Sequence, residues 1–290
     1  MVKKKINHDQ KFKELISTFF IEFLDLFLPE LARTIEPNSV IFREQEYFVD
    51  LVEGETKIID LLAEVKLAGE EATVLIHIEP QSTSRTSFPQ RLFFYFSRLH
   101  QKHLKRIYPI ALFSYDQPAE AANSQYTVEF PNLKVLEFNF TAIQLNRLNW
   151  RDFIDRPNPV AAALMAKMSI EKKDRPKAKA ECLRLLVTLK LDPAKSQLIS
   201  QFVDSYLRLN VKEEKTFQAE IDKLEPQQKE AIMQTTTSWE EKGMKKGIKK
   251  ERETIALNML RKSMSIETIS ELTGLTMKQL QKLQTQITES

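Results

Sequence analysis

The chain has 290 residues, with 43 Lys+Arg against 40 Asp+Glu and a net charge of +3. At roughly 100–200 residues per domain this length implies about two domains with cores of their own, so a fold resting on disulfides or metal alone is unnecessary. Hydrophobic residues at 42%, charged residues at 29% and only 5 Gly exclude collagen-like, Gly-rich disordered and mucin-like classes, and so small a net charge leaves nucleic-acid binding to be argued from local clusters.

The start MVKKKINHDQ carries the basic residues of a signal peptide, but polar residues follow where an apolar segment should begin. The most apolar early run, Leu15 to Leu28, contains Glu22 and Asp25 and is shorter than the ~20 residues that cross a bilayer. Cys182 is the single cysteine and sits in the apolar stretch CLRLLVTL, which reads as a buried structural thiol. The expectation is a cytoplasmic protein with neither export nor a membrane span.

From Asp9 to Leu28 the residues Phe12, Leu15, Ile16, Phe19, Phe20, Phe23, Leu24 and Phe27 recur at helical steps, which predicts one helix ended by Pro29. Residues 39–50, 55–65 and 73–79 predict three strands, 87–105 a helix, Ile107 to Tyr115 a strand, and 125–138 a last strand. After Trp150 helical composition prevails near 158–169, 174–190, 194–208, 212–223 and 226–238, with prolines at breaks or first turns. Short helices are predicted around 254–262, 265–272 and 277–287, where Gly274 closes one helix and Thr276 with Gln279 has the spacing of a capping box for the next. The fold class is therefore α/β, helix, three strands, helix, strand, followed by an all-helical region.

Period-two alternation places Leu75, His77, Glu79 and Gln81 on one face of the third strand, and Ile58, Asp60, Leu62 and Glu64 on one face of the second. If these strands pair, Asp60 and Glu79 converge, and a buried carboxylate pair needs a cation or hydrogen-bond donors. Mg²⁺ is economical there, because it takes one or two carboxylates and fills its other positions with water and phosphate oxygens. The plainer reading is a solvated pair, or one matched to Arg91. From Ser82 to Tyr115 six basic residues, Arg85, Arg91, Arg98, Lys102, Lys105 and Arg106, meet no acidic one, which suits a phosphate backbone or a solvated helix face. Arg98, Lys102 and Lys105 are spaced to share one helix face. His100 and His103 read as surface histidines, and no phosphate-binding Gly-rich loop appears, so no nucleotide cofactor is expected.

The segments HDQKFKELI, IIDLLAEV, VLIHIEPQS, RLFFYFSRL and YPIALFSY, in this order over about the first 115 residues, together resemble the PD-(D/E)XK nuclease superfamily, and within it the Rpn or YhgA-like recombination-promoting nucleases and transposase-like proteins. The Lys/Gly-rich KGMKKGIKKERE resembles the same branch. The resemblance implies a restriction-endonuclease-like core in which Asp60 and Glu79 hold Mg²⁺, with Mn²⁺ as a substitute, and Gln81 stands where the superfamily typically has Lys. An amide there can orient water but supplies no charge, and Lys in place of Gln81 is expected to be tolerated. Asp9 or Glu14 is a candidate to complete the site, with His77 as a further auxiliary. The implied organisation is a nuclease domain over 1–150, a helical region over 151–238 and a basic helical tail over 239–290 with a weaker likeness to a helix-turn-helix. The expected function is Mg²⁺-dependent DNA endonuclease activity linked to recombination or transposition, in a candidate homo-oligomer. Two alternatives stay open: a non-catalytic DNA-binding or assembly module, and an RNA-cleaving nuclease.

Overall fold

A computed structural model describes residues 8–36, 38–43, 47–49, 56–58, 61–69, 73–234, 252, 255–260, 264–277 and 280; positions 47–49, 56–58, 73–77, 79, 267 and 271 among them are described by backbone. The architecture is α/β, and the chain divides into two compact units, Met1–Lys229 and Glu230–Ser290.

The first apolar stripe forms two helices rather than one, α1 (His8–Thr18) and α2 (Phe20–Phe27), and a third, α3 (Pro29–Thr34), follows where the stripe was expected to end. The chain breaks at Phe19, with φ −127° and ψ 47°, yet Phe19 is only 1% exposed. A kink that keeps the same stripe inward leaves the apolar spacing intact, so periodicity does not reveal it. Pro29 opens α3, where its missing N–H has no helical partner to lose.

The strands are β1 (Ile41–Phe42), β2 (Tyr47–Val49), β3 (Thr56–Ile58), β4 (Leu61–Lys66), β5 (Thr73–Gln81), β6 (Arg106–Phe113), β7 (Gln125–Phe130), β8 (Leu133–Asn139) and β9 (Thr141–Gln144). Five of them make the main sheet in the order β1-β4-β5-β6-β9, while β2 pairs with β3, and β7 with β8, in separate two-stranded sheets. The expected strand over 39–50 is therefore two strands in different sheets, 55–65 divides likewise, and the expected last strand is a hairpin outside the main sheet. Alternation marks a segment as extended without naming its partner.

In the main sheet β1, β4 and β5 are antiparallel, and β5, β6 and β9 are parallel. The parallel step from β5 to β6 requires a crossover, supplied by α4 (Phe88–His103). This helix ends two residues earlier than its composition suggests, because Leu104 takes a left-handed φ of 51°. Lys105 consequently lies beyond the helix and does not share a face with Arg98 and Lys102.

Two layers cover the sheet. On one side Leu62 packs with Tyr95 and Leu99 of α4, and Ala111 and Phe113 pack with Phe88 and Leu92. The hairpin β7–β8 lies on the same helix, with Phe138 5.0 Å from Phe96 by ring centroids. On the other face Ile78, Ile110 and Leu112 are fully buried. The helices α5 (Pro159–Leu164), α6 (Arg175–Thr188), α7 (Pro193–Tyr206) and α8 (Val211–Ile221) belong to the same compact unit, which continues past residue 150. Phe12 of α1 meets Phe202 of α7 edge to face at 5.0 Å, and Asn158 before α5 donates to the Glu22 carbonyl of α2 at 2.9 Å. Cys182 is buried in α6, and burial pushes its thiol far up.

In the second unit Ala256, Ile269, Leu275 and Leu280 form a small core. Its helix Ile266–Thr273 is capped by Ser265, whose hydroxyl accepts from the Thr268 N–H, and closed by Gly274 at φ 68°. Gly274 is thus the helix terminator its position suggested. Gln279, and residues 242–251 of the basic run Lys242 to Arg252, lie outside the described residues. Among those residues no helix is long and apolar enough to cross a membrane.

Candidate functional site

The antiparallel ladder of β4 and β5 pairs Leu61 with Ile78, Leu62 with His77 and Glu64 with Leu75. Asp60 lies outside the described residues. Glu79 is placed by its backbone, in register with Ala111 of β6, and His77 sits mid-strand between Leu62 and Pro109.

Gln81 ends β5 and is 9% exposed. Its carbonyl accepts from the Ser114 N–H at 2.8 Å and from the Ser114 hydroxyl at 3.2 Å, which fastens the end of β5 to the end of β6. Its side-chain Oε1 accepts from Arg91 Nη2 at 2.7 Å, and its Nε2 donates to the Pro80 carbonyl at 2.9 Å. The Arg91 guanidinium also lies 5.3 Å over the Phe88 ring, so the first turns of α4 hold the amide in one orientation.

Of the two N-terminal carboxylates, Asp9 is the one at this end of the sheet. Ser82, the residue after Gln81, donates to Asp9 Oδ1 at 3.5 Å, at the outer limit of a hydrogen bond. Glu14 instead lines a groove with Leu198 and Gln201 of α7.

A cleft of about 180 Å³ opens where the segment after β5, the start of α4 and the end of β6 meet, lined by Ser84, Arg85, Phe88, Phe113, Tyr115 and Asn123 among others. Its outer wall is the segment 116–122, strapped down by residues just after β9. Gln144, buried, donates to the Glu120 carbonyl at 2.9 Å and accepts from the Ala122 N–H at 2.8 Å; Asn146 and Arg147 add bonds to the Pro118 and Ala119 carbonyls at 2.8 and 2.7 Å. Burial pushes the Tyr115 phenol up, against a hydrogen bond with Ser84 that lowers it. Sequence reasoning missed this strap, since nothing in a glutamine at a strand end marks it as buried.

The six basic residues are not gathered at one place. Arg91 holds Gln81 and Arg85 lines the cleft, whereas Arg106 pairs in register with Val74 at the other end of β5, roughly 23 Å from Gln81 at ~3.3 Å per residue. Arg98 and Lys102 follow along α4 toward that far end. Lys105 is engaged there by Glu64, at 2.6 Å, and Arg43 holds the other carboxylate oxygen of the same residue. These two cations hold the Glu64 carboxyl at about 2 against the opposing effect of burial, with the Lys105 bond foremost. His100 is likewise structural: its Nδ1 lies 2.9 Å from the Lys105 carbonyl, and its ring stacks on Phe96.

Among the described residues no group of three or more His, Cys, Asp and Glu side chains gathers to hold a metal. Comparisons with family models, with curated proteins and with solved structures return no match.

Proposed function

We propose that the first unit is a Mg²⁺-dependent endonuclease that hydrolyses DNA, with Asp60 and Glu79 as the metal carboxylates and Gln81 as the group that orients water. One observation carries this reading. The antiparallel register lays β4, which begins at Leu61 one position after Asp60 in the sequence, beside β5, which carries Glu79 and Gln81. The order of helix, antiparallel strands, crossover helix and parallel strand agrees with the core that the sequence resemblance implies.

The donor chemistry fits a hard divalent cation, because both residues offer carboxylate oxygens and Gln81 Oε1 is already engaged by Arg91. When bound, Mg²⁺, or Mn²⁺ in its place, supplies an ionised water and neutralises charge on the phosphate. The protein's own residues do the rest. Arg91 fixes the Gln81 amide, Asp9 marks the α1 side of the site, and Arg85 at the cleft rim meets a flanking phosphate. A role in recombination belongs to the same proposal.

The test is plasmid nicking in Mg²⁺, in EDTA and with Asp60→Ala. Nicking should require the metal and disappear in the variant. Undiminished nicking by Asp60→Ala sinks the reading; DNA binding without nicking favours the non-catalytic module; and cleavage of RNA alone moves the substrate to RNA.

A further inference from the structure

A lysine at a protein surface ordinarily lays its methylene stem on apolar neighbours and leaves the ammonium in water. Lys13 of α1 is inverted. The residue as a whole is partly exposed, yet its Nζ is buried and has no hydrogen-bond partner. An ammonium held there keeps three donors that no acceptor in the protein takes up, and an uncharged residue would fill the same space. A ligand that brings its own acceptor would use those donors, and an anion would meet the charge as well.

The position of Lys13 says where that anion sits. Asp9, Lys13 and Ile16 are spaced by four and three residues and share one face of α1. At one end of that face Asp9 meets Ser82, directly after Gln81, and at the other Ile16 is fully buried. The helix thus lays this face over the end of β5, where Gln81 offers an amide and no charge. We infer that Lys13 is the anion-binding cation of the candidate site, and that its ammonium takes a phosphodiester oxygen of bound nucleic acid. The naming of a phosphodiester rests on the nuclease reading; the anion site itself does not.

Two measurements on wild type, Lys13→Met and Lys13→Arg decide it. In metal-free buffer, inorganic phosphate should raise the thermal midpoint of wild type and Lys13→Arg by mass action and leave that of Lys13→Met unmoved. Without phosphate, Lys13→Met should melt at or above the wild-type temperature, because an unpaired buried charge has been removed. In Mg²⁺, single-turnover plasmid cleavage by Lys13→Met should fall about 100-fold, with partial recovery in Lys13→Arg. Equal phosphate stabilisation of all three proteins overturns the inference, as does a Lys13→Met midpoint well below wild type, which would mark the ammonium as a satisfied structural group. If wild type stabilised by phosphate nonetheless fails to nick DNA, the nuclease reading falls while the anion site stands. If nicking depends on Asp60 but not on Lys13, the reverse holds.

Discussion

Glu64 carries two cations on one carboxylate, and Arg43 beyond β1 and Lys105 before β6 are thereby tied to β4. Its folded pKa of about 2 lies below the unfolded value near 4.3, so the group stabilises the fold above the unfolded pKa and that contribution is lost as pH falls toward 2. Glu64→Gln should therefore cost on the order of 1–2 kcal/mol at neutral pH, after allowance for solvent screening of the exposed partners, and thermal melts should show a flatter acid limb between about pH 4 and 2. An unchanged acid limb would show that the triad does not drive acid sensitivity. Gln81 has a cationic neighbour that alternation along its strand does not indicate. Lys at this position looked tolerable while its surroundings were unknown, but Arg91 Nη2 stands 2.7 Å from Oε1, and a second cation there would be repelled. Gln81→Lys should reduce single-turnover cleavage by at least about tenfold, and adding Arg91→Met should restore part of it, a coupling that a double-mutant cycle would measure. Additive losses would separate the two residues.

Among the elements, those whose signals are local were readable. Pro159, Pro176 and Pro193 open α5, α6 and α7, and Asn158, Asp192 and Asn210 accept from the first backbone N–H groups of α5, α7 and α8, all as side-chain chemistry alone dictates. Features that depend on distant partners were not. No property of residues 125–139 tells that they fold back as a hairpin on α4 and leave β9 to complete the sheet. The extended character of β4 and β5 was legible from alternation, but Arg91 as the holder of Gln81 and the inward turn of Lys13 depend on packing that periodicity does not encode. The strap on the cleft wall is of the same kind. Gln144→Ala removes two short side-chain bonds to the segment 116–122 from a buried position, so it should cost about 2 kcal/mol in denaturant melts and speed amide exchange at Ala122. Unchanged exchange at Ala122 would show that Asn146 and Arg147 suffice.

For the molecule as a whole, composition after Trp150 suggested a border that the packing does not respect. Phe12 packs on Phe202 and Tyr206, Phe27 meets Phe153 at 6.3 Å, and Trp150 is fully buried. A fragment of residues 1–150 should accordingly fail to fold cooperatively, whereas residues 1–234 should keep a sharp calorimetric transition; a well-folded shorter fragment would contradict this. The pairing of α1 with α7 also bears on how the chain is made. His8 and Lys11 find Tyr206 and Ser205 nearly two hundred positions later, so α1 waits for α7 to be synthesised. At ~5–20 residues per second, that interval is roughly 10–40 s, during which the stripe from Phe12 to Phe27 has no α7 to cover it. Contacts of such long range make folding slow and late, and an apolar stripe left without its partner helix for that long is open to aggregation during synthesis.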